Sequence, residues 1–169
     1  MTEGEPAIRP GTAEDIADLT EIYNHFVGET HVTFDIAPFS TAQRLGWLDH
    51  YRPSGRHRIF VAVSGGRVIG YATSSPYRAK RAYETSVETS VYCRPEAQGR
   101  GVGSALYTAL FDALANEDVH RAYGGVALPN DASESLHRKF GFERVAVFSE
   151  QGRKFGRYWD VAWYERRFP

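Results

Sequence analysis

Residues 85–128 read TSVETSVYCRPEAQGRGVGSALYTALFDALANEDVHRAYGGVAL, a β-rich run, a glycine-rich turn, an apolar-striped segment and a second β-rich run. Thr85 to Cys93, with Ser86, Val87, Val91 and Tyr92, has the composition of a strand. A helix is predicted from about residue 101 to 116, because Val102, Leu106, Leu110 and Leu114 recur every fourth residue on one face. Arg121 to Leu128 reads as the next strand. Two strands joined by a helical crossover run parallel, so this unit predicts a parallel pair at the centre of the sheet.

On the N-terminal side, Thr12-Ala13-Glu14-Asp15 forms a capping box ahead of Ile16, Leu19, Ile22, Tyr23 and Phe26, which predicts a first helix over about 13–27. Ser40 and Gln43 begin a second box, and Leu45, Trp47, Leu48 and Tyr51 fill the turns up to Pro53, which cannot continue a helix. Between these helices, His31 to Phe39 is a loop rich in aromatics. Arg58 to Ser64 and Arg67 to Ser75 are strand-like and flank Gly65-Gly66, a two-residue hairpin signature. On the C-terminal side, Pro129-Asn130 opens a short helix with Ala132, Leu136 and Phe140 inward and Gly141 as its terminator. Phe142 to Phe148 and Arg157 to Tyr164 close the chain as two strands. The expected fold class is α+β (mixed α/β), a mostly antiparallel sheet of six or seven strands with about four helices on its faces.

The chain has 169 residues, the length of a single domain spanning 1–169. Hydrophobic residues make up 42% and charged residues 24%, which excludes the disordered class. Twenty Lys and Arg against 21 Asp and Glu leave a net charge of −1, so no global field gathers nucleic acid or anionic lipid. The single cysteine, Cys93, forms no intramolecular disulfide, which fits a cytoplasmic protein. The first residues lack a secretory pattern, and no apolar run has the length of a membrane span. No His-x-x-x-His or Cys-x-x-Cys spacing occurs, so no metal site is expected.

The turn at 98–104 carries the most chemistry. Glycines there let a ligand approach the main chain, and the first-turn N–H groups of the following helix favour a phosphate or pyrophosphate. Arg100 adds a mobile charge. The turn lacks the Gly-Lys-Ser/Thr of a Walker A loop. A dinucleotide Gly-x-Gly-x-x-Gly also fails, because the last position is Ser104 or Leu106. From spacing alone, a phosphate cradle and a merely steric turn both stand.

Gln98-x-x-Gly101-x-Gly103 between strand and helix resembles the Gln/Arg-x-x-Gly-x-Gly/Ala signature of the GNAT superfamily of N-acetyltransferases. Asn130 followed by Leu136-His137-Arg138-Lys139-Phe140-Gly141-Phe142 resembles that superfamily's second cofactor helix, and the order of elements from Ile8 to Tyr164 is similar. Blocks at Val32-Thr33-Phe34, 77–83, 87–92, 128–131 and 154–161 resemble, more narrowly, the branch that acetylates phosphinothricin and methionine sulfoximine. The resemblance implies a sheet whose central parallel strands splay apart to admit acetyl-CoA. It assigns the thioester carbonyl to main-chain N–H groups of Val91, Tyr92 and Cys93. The pyrophosphate would lie on Gln98, Gly99, Arg100, Gly101, Val102, Gly103 and Ser104, with Asn130 and Lys139 also on the cofactor. It further implies a homodimer.

Acetyl transfer to an amine needs a base, because alkyl ammonium groups with pKa near ~10 arrive protonated. Glu88 is the candidate, a carboxylate whose affinity for a proton burial would raise; the plainer alternative is a surface residue of the strand. His137 stands where many superfamily members carry a tyrosine, and its ordinary pKa near ~6.5 suits proton transfer; the alternative is a histidine on the solvent side of its helix. Arg78 and Lys80, interleaved with aromatics including Tyr83, form a patch sized for a carboxylate or phosphinate, and Phe34 joins the substrate set by resemblance. The expected activity is acetyl-CoA-dependent acetylation of the α-amino group of a small amino acid or analogue. The alternatives are a GNAT enzyme for another small amine, or a non-catalytic acyl-CoA-binding module.

Overall fold

The computed structural model describes residues 5–169. Its elements are β1 (Ala7–Pro10), α1 (Ile16–Glu29), α2 (Thr41–Leu48), β2 (Ile59–Ser64), β3 (Arg67–Pro76), β4 (Ser86–Cys93), α3 (Val102–Leu114), β5 (Arg121–Ala127), α4 (Asp131–Lys139), β6 (Glu143–Lys154) and β7 (Arg157–Arg167). Seven strands form one sheet in the order β1-β2-β3-β4-β5-β7-β6. Every neighbouring pair is antiparallel except β4 and β5, the predicted parallel pair.

Local sequence accounts for most of these boundaries. Thr12 N–H donates to Asp15 at 2.8 Å, and Asp15 also takes both Arg9 guanidinium donors, fixing the entry to α1. In the box that starts α2, Ser40 N–H donates to Gln43 Oε1 at 2.8 Å and Gln43 N–H donates to Ser40 Oγ at 3.3 Å. Gly65 and Gly66 both take positive φ, 58° and 76°, as a hairpin matched to the strand twist requires.

Some expectations are corrected. α1 begins three residues later than predicted, after a 3₁₀ turn at Ala13–Asp15. α2 ends at Leu48, well before Pro53. Its inward face is Arg44, Trp47 and Leu48, the i, i+3, i+4 set, whereas Leu45 sits 100° round the helix and is exposed. β1 was not predicted as a strand because four residues carry too little pattern. β6 extends to Lys154 rather than Phe148, continuing past an irregularity between Phe148 and Gly152. In α4, Ala132 is exposed and His137 is the most buried residue.

Two cores lie on opposite faces of the sheet. Leu106, Leu110 and Leu114 of α3 are fully buried with Val87, Ala122 and Ala162. Leu19, Ile22 and Phe26 of α1 pack on Val61, Val68 and Tyr71 on the other face. Truncating any of these leucines to alanine removes buried area and leaves a void, at a cost of about 2–5 kcal/mol.

Candidate active site

The parallel ladder between β4 and β5 has three rungs, Ser86 with Arg121, Val87 with Ala122 and Glu88 with Tyr123. Beyond Glu88, β4 stays paired with β3 up to Cys93, while β5 pairs with β7 up to Ala127. The two strands therefore part after Glu88, and the sheet opens into a gap. Arg94 N–H donates to Ile69 O across β3 at 2.8 Å. Alternation along an antiparallel strand then turns the N–H groups of Val91 and Cys93 into the gap and that of Tyr92 toward β3. Of the three main-chain donors assigned by resemblance, two face the opening. The Cys93 side chain is half-buried, and withdrawal from water pushes its thiol up to about 12, which leaves it a poor nucleophile.

Register also sets which face each side chain takes. Val87 and Ala122 belong to the α3 core, so Glu88 and Tyr123 project to the face of α1 and α2. Glu88 is half-buried; withdrawal from water raises its pKa, and the nearby Arg78 charge opposes that rise. Arg78 lies over the Tyr77 ring at 4.4 Å, Tyr77 stacks on Tyr123 with centroids 4.4 Å apart, and Tyr83 meets Tyr77 edge-on. Lys80 is exposed at the start of the turn that holds Tyr83. The basic loop therefore lies on the side of the sheet where Glu88 projects.

His137 lies on the opposite face, buried rather than turned to solvent. Its Nδ1–H donates to Ser133 O at 2.7 Å, which leaves Nε2 as the lone-pair nitrogen, and that atom has no hydrogen-bond partner among the described residues. Rings of Tyr107, Phe142 and Tyr164 surround it. Burial lowers its pKa, the Ser133 bond opposing, so the ring is held neutral. A Cβ on Gly124 of β5 would stand 2.3 Å from Nε2, so the imidazole presses on the strand that borders the gap.

At the turn, Gly99 and Gly101 take φ of 71° and 81°, a conformation that L side chains resist. Gly101 caps α3, and the first intrahelical bond is Ala105 N–H to Gly101 O, so the N–H groups of Val102, Gly103 and Ser104 are not used by the helix. Val102 buries its side chain and so anchors the turn through the core. Gln98 donates to Cys93 O at 3.3 Å, and Arg100 is exposed. Lys139 of α4 donates to Ser104 Oγ at 3.0 Å, bringing its charge beside those donors. Asn130 caps α4 by accepting from Ser133 N–H at 3.1 Å. The donor set, with two cations and open space at Gly99 and Gly101, fits a pyrophosphate.

The aromatic loop is clamped from the far side. Phe34 fills the space above Gly152, where a Cβ would meet its ring at 2.2 Å. Buried Lys154 donates to Thr33 O at 2.8 Å, and His31 stacks on Trp159 with centroids 4.2 Å apart. Sequence reasoning did not find Lys154 in this role, nor Arg44, Trp47, Tyr51 and Ser75, which line a cavity of about 460 Å³ beside Glu88. An arginine at an inward helical position was the one available signal. Among the described residues, no three His, Cys, Asp or Glu side chains are grouped to hold a metal, and no helix is long and apolar enough to cross a membrane.

Comparison with known proteins agrees with this geometry. A phosphinothricin N-acetyltransferase of Streptomyces coelicolor is 58% identical over 164 residues, 96% of each chain. An L-methionine sulfoximine/L-methionine sulfone acetyltransferase of Pseudomonas paraeruginosa is 31% identical over 94% of this chain and 92% of its own. A GNAT superfamily phosphinothricin acetyltransferase of Sinorhizobium meliloti, solved in complex with acetyl-CoA, superposes with a TM-score of 0.90 at 31% identity, over 98% of this chain and 89% of its own. Residues 19–142 match the sequence model described as the acetyltransferase (GNAT) family. With that span, these identities and the shared fold, the chain belongs to the GNAT family of acetyltransferases.

Proposed function

We propose that the protein transfers the acetyl group of acetyl-CoA to the α-amino group of a small amino acid or analogue, of the phosphinothricin, methionine sulfoximine or methionine sulfone type. The observation that carries the reading is the parting of β4 and β5 immediately after Glu88, which puts a half-buried carboxylate at the mouth of the gap. The substrate class rests on the relatives' activities and on Arg78, whose charge acts on that carboxylate, with Lys80 two residues further along the same loop.

Acetyl-CoA supplies an acyl group already activated as a thioester. Gln98 to Ser104 and Lys139 hold its pyrophosphate, Asn130 keeps α4 in place, and the N–H groups of Val91 and Cys93 donate to the carbonyl oxygen as charge builds there. Tyr92 contributes by packing its ring against Tyr23 and Phe26 beneath the substrate side. Arg78, Lys80, Tyr83 and Phe34 position the amino acid. Glu88 removes a proton from the ammonium group, directly or through one water, and the freed nitrogen attacks. The C–N bond forms, the nitrogen gives up its second proton to the lone pair of His137 Nε2, and as the C–S bond breaks that proton passes on to the departing sulfur. A raised pKa suits Glu88 to accept that proton near neutrality.

The same reading makes the chain one catalytic domain that acts on a small molecule rather than on nucleic acid or a membrane surface, consistent with its net charge of −1. It works in the cytoplasm, where Cys93 stays a thiol; cell fractionation checks this. Val145, Val147 and Phe148 of β6, Phe155 of the turn that follows and Tyr158 of β7 are exposed apolar side chains along this hairpin, and a second copy covers it in a homodimer. Sedimentation as a monomer at micromolar concentration would remove the dimer from the account.

The activity is tested by thiol release from acetyl-CoA with phosphinothricin, methionine sulfoximine, methionine sulfone and the common amino acids. Release with at least one is expected. Release with none would return the site to another small amine or to acyl-CoA binding without turnover.

A further inference from the structure

The two most buried arginines of the fold are treated differently. Arg94 has its Nε donating to Val68 O at 2.8 Å and its terminal nitrogens on Asp18 and Glu21 at 2.7 and 3.0 Å. Arg44, only 5% exposed, has no carboxylate within 4 Å among the described residues. Its guanidinium lies 3.5 Å from the Trp47 ring centroid and 4.6 Å from that of Tyr23, and one terminal nitrogen donates to Tyr71 OH at 3.2 Å. Its Nε, fully withdrawn from solvent, donates to nothing. Ring faces stabilise part of such a charge. They do not accept the remaining donor, and a buried charge without a counter-ion is costly.

Arg44 lines the cavity of about 460 Å³, whose floor includes Ser75 and Ser90. Ser75 is the register partner of Glu88 on β3, and Ser90 is two residues beyond Glu88 on the same face of β4. Two strand residues span about 7 Å, comparable to the reach of a glutamate-length side chain. The cavity's one carboxylate, Asp35, accepts a hydrogen bond from Tyr23 OH and is not paired with Arg44.

We infer that this cavity receives the side chain of the amino-acid substrate and that Arg44 selects an oxyanion at its end, while Arg78 and Lys80 hold the α-carboxylate. The guanidinium then gains the counter-charge that the protein withholds from it. The preferred substrate is an acidic amino acid or analogue carrying its second anionic group at the γ position. This inference rests on the amino-acid acetyltransferase reading.

The test is steady-state thiol release by wild type and Arg44→Gln with two substrates of similar length, phosphinothricin, whose side chain ends in an anion, and methionine sulfone, whose side chain is neutral. Arg44→Gln is expected to raise KM for phosphinothricin about 10- to 100-fold, the worth of a charge-assisted hydrogen bond. KM for methionine sulfone should rise far less and KM for acetyl-CoA not at all. Equal losses with both amino acids, or no loss, would overturn the role of Arg44. If Arg44→Gln does not fold, Ser90→Leu fills the cavity floor while keeping the guanidinium. It too should raise KM for phosphinothricin, and an unchanged KM would overturn the inference. Release by wild type with methionine sulfone but not with phosphinothricin would overturn the role of Arg44, and absence of release across the whole amino-acid panel would instead overturn the activity itself.

Discussion

Glu88 stands opposite Tyr123 on the last rung of the parallel ladder between β4 and β5, so the carboxylate and the opening of the sheet share one position in the chain. The Tyr77–Tyr123 stack lies on the same face, and burial raises the carboxylate's pKa while Arg78 on the adjoining loop limits the rise.

The balance between burial and Arg78 can be read from pH profiles. Burial favours the protonated form of Glu88 and Arg78 favours the charged form, so Arg78→Ala should raise the pKa further. The acid limb of kcat then moves to higher pH. The loss of kcat is greatest on the acid side and fades where Glu88 is ionised in both proteins. An acid limb that stays in place, or moves to lower pH, would remove Arg78 as the neighbour that tunes Glu88.

His137 is fixed by contact with the backbone of β5, so Gly124→Ala tests its placement without altering the ring. The new methyl would lie 2.3 Å from Nε2, and the rings of Tyr107, Phe142 and Tyr164 leave the imidazole no easy retreat. Overpacking of this kind costs about 1–3 kcal/mol, read as a fall in thermal stability. A displaced imidazole should also lower kcat by about tenfold or more, since small misplacements near the chemistry are expensive. The comparison is His120→Ala, on an exposed histidine, which should change neither. Unchanged kcat in a destabilised Gly124→Ala would make His137 a packing residue only.

The central unit was legible because its signals are local and repeated. Val102, Leu106, Leu110 and Leu114 specify a helix face, and the glycines at 99 and 101 specify a turn that only they adopt without strain. Glu88 took its role largely from resemblance and the basic loop was legible from its own residues, and register puts them on one face. The features that were missed depend on long-range contact. Arg44 stands at an inward position of α2, but sequence does not show that Tyr23 and Tyr71 close over it. His137 was a candidate with a solvent-side position left open, since its burial comes from rings on α3 and β7. The clamp on the aromatic loop joins Phe34 to Gly152 and Thr33 to Lys154 across more than a hundred residues.

Glu88→Gln tests the account's central claim most directly, by thiol release from acetyl-CoA with the best amino-acid substrate across the pH range. The side chain keeps its size and loses its basicity. The account predicts that kcat near neutrality falls about 10²- to 10⁴-fold, as for loss of a general base, with KM for acetyl-CoA unchanged. Part of the rate should return at high pH, where the amine loses its proton unaided. A variant that turns over like wild type, with the same acid limb, would contradict the assignment of Glu88 and with it the mechanism proposed for this site.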